Sequence, residues 1–308
     1  MKNIRLIHIV IVLSIVFSMS LHAQQAPQYT QYMYNTMSLN PAYTGVSGKL
    51  EATGIYRTQW VGLDGSPETF NFSASSPLRN EKIGIGINLV QDELGPSQET
   101  FFTANFSYTI PVGVFTNLSF GLSGGGRILD IDFSRGQFKD PNDPIFAQNV
   151  SNDFSAVIGA GLYLYSDKWY AGVSVPDFIN DDFFDNQAST VTSEDLHYFI
   201  MGGYVFDLTP DILLKPAFLT KIVEGSPLSV DVSANFLYQE KFTLGVSYRS
   251  DDAINALAGF KLNDYLFLGY SYDFTTSNLN NYSSGTHEIV LKFTLSSVSK
   301  RILTPRFF

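Results

Sequence analysis

From Lys49 onward apolar residues recur with a period of two rather than 3.6, in blocks of roughly ten residues divided by turn residues. Thr100 to Ile110 sets Phe102, Ala104, Phe106, Tyr108 and Ile110 against Thr103, Asn105, Ser107 and Thr109. Leu228 to Tyr238 sets Leu228, Val230, Val232, Ala234, Phe236 and Tyr238 against Ser229, Asp231, Ser233 and Asn235. Near the carboxyl end His287, Ile289, Leu291, Phe293 and Leu295 alternate with Glu288, Val290, Lys292 and Thr294. There are about fourteen such blocks, each about as long as a tilted strand that crosses a bilayer. The pattern predicts an all-β fold, an outer-membrane antiparallel up-and-down β-barrel of about 14 strands.

The connections test this independently, because such barrels join strands by short turns on the periplasmic side and longer loops outside. If the strand from Lys49 runs outward, the inner turns are Ser76 to Asn80, Pro111 to Thr116, Ser166 to Lys168, Leu208 to Asp211, Gln239-Glu240 and Asn263-Asp264, all short. The outer connections include the three longest, Leu129 to Asn152, Asp177 to Leu196 and Thr275 to Gly285, although those near Glu224 to Ser226 and at Ser250-Asp251 are brief. A soluble β-sandwich or propeller would alternate too. Against it stand Tyr56, Trp60, Tyr108, Tyr163, Tyr165, Trp169, Tyr170 and Tyr248, which gather at strand ends as interfacial girdles do. Asp231, Lys215, Lys221, Arg249, Asp273, Glu288 and Lys292 on the polar face would line a wet or plugged lumen.

The amino end changes the picture by adding export. Lys2 and Arg5 precede an apolar stretch from Leu6 to Met19 and then Leu21-His22-Ala23, a secretory signal with cleavage expected after Ala23. The loss of two cations and no acid takes the net charge from −10 to −12, which argues against a nucleic-acid partner. With no cysteine the exported chain has neither disulfides nor thiolate ligands. Charged residues at 16% against 44% hydrophobic ones are too few for an ordinary soluble exported enzyme. The organisation expected is a signal peptide over 1–23, a periplasmic or plug segment over 24–48, a transmembrane barrel over 49–295 and a periplasmic tail over 296–308. The protein would be integral to the outer membrane, in contact with its lipid, with both termini periplasmic.

Catalytic chemistry is thin. The mature chain keeps only His197 and His287, both at strand starts beside outer loops, where a polar interfacial residue is the simpler reading. Gly121-Leu122-Ser123-Gly124-Gly125 fits the pattern of a nucleophile elbow, but that motif works only at a sharp strand-to-helix turn, and here it lies within an alternating strand. Asp130, Asp132, Asp140 and Asp143 in one outer loop and Asp177, Asp181, Asp182 and Asp185 in another lack EF-hand spacing and read as solvated surface rather than a calcium site. No cofactor, metal or catalytic residue is expected.

Gln28-Tyr29-Thr30-Gln31-Tyr32-Met33-Tyr34-Asn35, followed by Leu39-Asn40-Pro41-Ala42-Tyr43-Thr44-Gly45, closely resembles the opening signature of the PorP/SprF family of type IX secretion system membrane proteins. Further similarity runs through Tyr56 to Gly62, Pro77-Leu78, Gly202 to Asp207, Ala234 to Phe236, Gly285 to Ile289 and Pro305-Arg306-Phe307-Phe308. The resemblance implies a non-enzymatic outer-membrane adaptor or anchor of Bacteroidota, tied to type IX secretion and in some members to gliding motility. It implies as partners a secreted type IX surface protein or adhesin and periplasmic components of the secretion machine. The signature positions Tyr29, Tyr32, Asn35, Asn40, Pro41, Ala42, Tyr43, Gly45, Pro305, Arg306, Phe307 and Phe308 become the candidate partner-binding residues. Two other classes compete: a passive diffusion porin, suggested by the charged lumen face, and an outer-membrane hydrolase built on Ser123, His197 and His287.

Overall fold

The computed structural model describes residues 28–136, 148–179, 182–183, 192–193, 196–223 and 226–295. Fourteen antiparallel strands close into a barrel. In chain order they are β1 (Leu50–Thr58), β2 (Glu68–Pro77), β3 (Ile83–Leu94), β4 (Ser97–Pro111), β5 (Asn117–Ile131), β6 (Val150–Tyr165), β7 (Trp169–Val175), β8 (His197–Tyr204), β9 (Ile212–Val223), β10 (Ser229–Tyr238), β11 (Phe242–Arg249), β12 (Ala253–Lys261), β13 (Leu266–Thr275) and β14 (Thr286–Leu295). After Val205, β8 continues as Phe206–Thr209, still paired with β9. Each strand pairs with its sequence neighbour, and β1 on β14 closes the ring, with Leu50 opposite Leu295 and Thr58 opposite His287. Closure removes the free edges that an open sheet would expose. Among the described residues no helix is long and apolar enough to cross a membrane.

The rims follow the expected parity. One carries the short turns 78–82, 112–116, 166–168, 210–211, 239–241 and 262–265, and the other carries 132–149, 176–196 and 276–285. The long-loop rim also holds a two-residue turn, Gly95-Pro96, made possible by the positive φ of 58° at Gly95.

The two faces of each strand settle what surrounds the barrel. In β2, Phe70 and Phe72 are 43% and 37% exposed while Thr69 and Asn71 are fully covered. A soluble sandwich would show the reverse, so the apolar outer face is a lipid face. Asp231, Lys215, Lys221, Arg249, Asp273, Glu288 and Lys292 are all buried on the inner face, as the alternation predicts. One sequence expectation fails here. Tyr163, Tyr165 and Tyr170 were assigned to an aromatic girdle but are buried inside the barrel, whereas Tyr56, Tyr108 and Tyr248 do face outward. Both faces of β6 are apolar at that point, with Leu162 outward and Tyr163 inward, so strand-end position alone misleads.

What the inner face packs against is the amino-terminal segment. Residues 28–48 run inside the lumen as three short 3-10 turns, Tyr32–Tyr34, Thr36–Ser38 and Pro41–Tyr43. The segment meets Arg57, Asp273 and Glu288 near the long-loop rim at its start, and Ser76, Pro77 and Gly84 near the short-turn rim at Gly45. Loop parity placed its start at the short-turn, periplasmic side. The first described residues lie toward the long-loop rim and the segment threads the barrel before turning into β1, while the expected mature start at Gln24 lies outside the described residues. The expected signal at 1–23 and tail at 296–308 lie outside the described residues.

Candidate functional site: a filled lumen

The plug is held at its start by an ionic cluster on the wall. Glu288 accepts the Thr30 N–H at 2.9 Å and the Gln31 N–H at 2.8 Å, one on each carboxylate oxygen. The Thr30 hydroxyl donates to Asp273 at 2.7 Å, and Arg57 lies between the two acids, 2.8 Å from Asp273 and 3.0 Å from Glu288. All three charged side chains are at least 97% covered. They come from β1, β13 and β14, so the last strands of the chain grip its first described residues. Arg249 extends the cluster, 3.1 Å from Asp231 and 3.2 Å from Asp252, and donates to the Tyr29 carbonyl at 3.4 Å. Buried charges need pairing and hydrogen bonds; each charge of this cluster has an ionic partner, while the Asp231 oxygens and Arg57 Nε have no hydrogen-bond partner among the described residues.

Midway, Asn35 donates to Asn71 and accepts from the Ser73 hydroxyl at 2.6 Å. Below it, Asn40 caps the last 3-10 turn by accepting the Ala42 N–H at 2.9 Å, while its amide donates to the Leu162 and Val173 carbonyls at 3.0 and 3.4 Å. Pro41 follows as the first residue of that turn, where a missing N–H costs nothing. Ser174 and Ser107 donate to the Leu39 and Thr44 carbonyls at 2.7 and 2.6 Å. Tyr43 packs edge-on against Tyr163 at 5.4 Å between ring centres, and Tyr34 lies 4.5 Å from the Phe267 ring.

The wall is shaped for this occupant. A Cβ on Gly121 would sit 2.0 Å from the Ala42 nitrogen, and one on Gly84 would sit 2.0 Å from the Thr44 carbonyl oxygen. Both contacts are with backbone, which has no rotamer to change. The fit fills much of the bore: Asn88, Asp92, Glu99 and Thr103 on the inner face of β3 and β4 stay part-exposed, but Asn71, Ser119, Asn235, Ser271 and Glu288 have no exposure to water. A water-filled channel would wet these as well.

Eight of the candidate residues thus come together inside the barrel: Tyr29, Tyr32, Asn35, Asn40, Pro41, Ala42, Tyr43 and Gly45. Pro305, Arg306, Phe307 and Phe308 lie outside the described residues. Sequence reasoning placed Asp273 and Glu288 on the lumen face but missed what they hold, and it missed Arg57, Gly84 and Gly121 as parts of the receiving surface. The available signal was a set of charges and glycines on faces assigned to the lumen, which pointed to an occupant without naming it.

The hydrolase constellation is not assembled as its motif requires. Ser123 lies mid-strand in β5, opposite Asn105 and Gly159, with no turn beside it. His287 Nδ1 is 2.7 Å from the Tyr270 hydroxyl, and His197 stacks on Phe199. Among the described residues no three His, Cys, Asp or Glu side chains converge as a metal site. Asp132 instead caps a turn, accepting from the Ser134 hydroxyl at 2.7 Å, its N–H at 3.1 Å and Asn149 at 3.0 Å. Those bonds, the Ser134 hydroxyl first, hold its carboxyl below the usual aspartate range.

A closed antiparallel barrel with an apolar outer face and a lumen filled by its own amino-terminal segment defines a plugged β-barrel of the outer membrane. Residues 21–293 match the family model described as type IX secretion system membrane protein PorP/SprF, and the chain belongs to that family. The family is a secretion-system membrane component, not an enzyme family. No curated protein matches the chain. Among solved structures it is similar to the Ralstonia pickettii toluene transporter TbuX, at 8% identity and a TM-score of 0.51 over 85% of this chain and 93% of that one. It is also similar to the TodX deltaS2S3 mutant monoaromatic hydrocarbon channel, at 9% identity and a TM-score of 0.50 over 85% and 94%. At such identity the likeness concerns the fold alone.

Proposed function

We propose that the protein is a closed, non-enzymatic adaptor or anchor of the type IX secretion machinery in the outer membrane, which helps export or hold a secreted surface protein through its rims rather than its bore. The filled lumen carries this reading. Glu288, Arg57 and Asp273 at one end and the Gly84 and Gly121 seats at the other fix residues 28–48 to five different strands, β1, β3, β5, β13 and β14. Conduction would require this whole segment to leave. The long-loop rim then faces outward, where a surface protein would be held. The last described residue, Leu295, ends at the short-turn rim, where periplasmic components of the machine would be met. The first described residues of the plug lie in the half of the barrel nearer the long-loop rim. A role in gliding motility would follow from the identity of the surface protein held.

Single-channel recording on the purified full-length protein tests the closed bore, with no stable open-pore current expected. Large steady currents would return the reading to a diffusion porin. Deleting the gene should lower the amount of a type IX substrate on the cell surface, and unchanged display would sink the adaptor role.

A further inference from the structure

The barrel wall has one mismatch among its described strands. β6 has sixteen residues and its neighbour β7 only seven, and the two pair only from Ala160 to Tyr165. The cause is local. Pro176 follows the last residue of β7 and has no N–H for the ladder. Asp177 then accepts the Ile158 N–H at 3.4 Å and the Ile179 N–H at 3.0 Å with one side-chain oxygen, which diverts the chain. One last backbone bond, Phe178 N–H to the Ile158 carbonyl at 2.7 Å, ends the contact.

Because Ile158 directs its backbone groups away from β5, Ala156 and Phe154 before it do the same. Among the described residues nothing pairs with their N–H and C=O groups on that side. The strand is not frayed: Val157 and Ser155 lie opposite Gly125 and Arg127 of β5 and are 4% and 7% exposed. Phe154 by contrast is 60% exposed. Within the connection after β7, the described residues Asp182–Phe183 and Thr192–Ser193 pair with each other rather than with this edge. A rigid, unpaired edge beside a long-loop rim is a template for strand addition.

Charge selects the occupant. Around the notch, in residues 127–136, 148–157 and 176–179, stand Asp130, Asp132, Asp153 and Asp177 against Arg127, which is buried on the inner face, and Arg135. We propose that the free edge of β6 at Phe154 and Ala156 docks an extended, cationic segment of another polypeptide, which adds to the wall as a short strand. That this segment belongs to a secreted surface protein rests on the function proposed above.

The test uses the full-length barrel in detergent micelles and a blocked octapeptide of alternating Lys and Val, with amide hydrogen exchange at residues 154 and 156 as the readout. Saturating peptide should slow both amides at least tenfold. The same peptide N-methylated at every residue should not, nor should a Glu and Val version. No slowing by the Lys and Val peptide would overturn the proposal, as would equal slowing by the methylated form, which cannot pair, or by the acidic form. Ala156→Pro removes only an N–H that faces the notch, so the barrel should keep its heat-dependent gel shift and lose the protection at residue 154. If that variant does not fold, the comparison of methylated and unmethylated peptides still decides. The readout involves neither conductance nor display, so protection here with unchanged display on gene deletion would leave the edge standing and remove the adaptor role.

Discussion

Gly121 and Gly124 are three residues apart on β5, and they belong to different worlds. Gly121 faces inward, against the backbone of Ala42, whereas a Cβ on Gly124 would meet nothing within 4 Å. The same division runs along every strand. Outward residues such as Phe106, Leu122, Val246 and Leu291 need only be apolar, because lipid conforms to whatever it covers. Inward residues answer to one occupant of fixed shape, and a neighbour that cannot move penalises any change. The wall is thus permissive outside and exacting inside, which is how a receptor for its own segment should look.

Substitutions that cross this division should separate the two faces most sharply. Gly121→Leu forces a side chain into plug backbone and should cost more than about 4 kcal/mol, the range reserved for severe core lesions. Either no barrel with a heat-dependent gel shift forms, or the plug is expelled and protease cuts within residues 28–48. Gly124→Leu should stay within about 0.5 kcal/mol by urea unfolding in micelles. Equal effects at the two positions would refute the seated plug. Next comes Glu288→Ala, which strands the Thr30 and Gln31 amides and leaves Arg57 with one acid instead of two. Breaking a buried pair in this way costs about 3–5 kcal/mol. The adjacent Ile289→Ala loses only lipid contact and should cost less, so a larger loss at Ile289 would count against the ionic grip.

Much of the wall was legible in the sequence because a period of two has one physical source, a sheet with unlike faces, and loop lengths report the two rims separately. Inner charges such as Asp231 and Lys292 were read correctly from parity alone. The plug was legible only as one of two alternatives for residues 24–48, and none of its contacts could be read. Its residues carry no charge and no period, and its turns are set by groups far along the chain, Glu288 for Thr30 and Leu162 for Asn40. The spacing of its Tyr and Asn residues, which barrel geometry does not require, is explained by lumen packing: Asn35 meets Asn71, Asn40 meets the β6 and β7 carbonyls, and Tyr43 meets Tyr163. Tyr163 and Tyr170 were misplaced for the same reason, since nothing in β6 or β7 alone announces an aromatic partner inside.

A finer comparison sets an inner cap against an outer one. Asn40 and Asn263 both accept backbone N–H groups, Ala42 for the first and Tyr265 and Leu266 for the second. Asn40→Ala removes a buried cap together with its second bonds to the Leu162 and Val173 carbonyls, which keep their ladder pairing, and should cost about 1–2 kcal/mol. Asn263→Ala opens a solvated turn and should cost about 0.5–1 kcal/mol. Urea midpoints of the two variants check the order, and a reversal would mean that the plug contributes little to the folded state.

The smallest effect belongs to Asp132, a part-exposed carboxylate that caps a turn on the long-loop rim. Its folded-state pKa is held down, chiefly by the Ser134 hydroxyl, so the turn is supported at any pH above the ordinary aspartate value. The support fades as pH falls through the lowered value, because a protonated carboxyl no longer accepts from Ser134 and Asn149 with full charge. Following the Ser134 amide by NMR should give a titration with its midpoint below 3.8, and Asp132→Asn should abolish it. The plug should not respond over that range in the variant, since Asp132 touches no plug residue among its bonded partners. A midpoint at or above 3.8 would show that the cap bonds are absent in solution. A shift in plug protection that follows the same titration and disappears in Asp132→Asn would show instead that rim and lumen are coupled, contrary to the division between them.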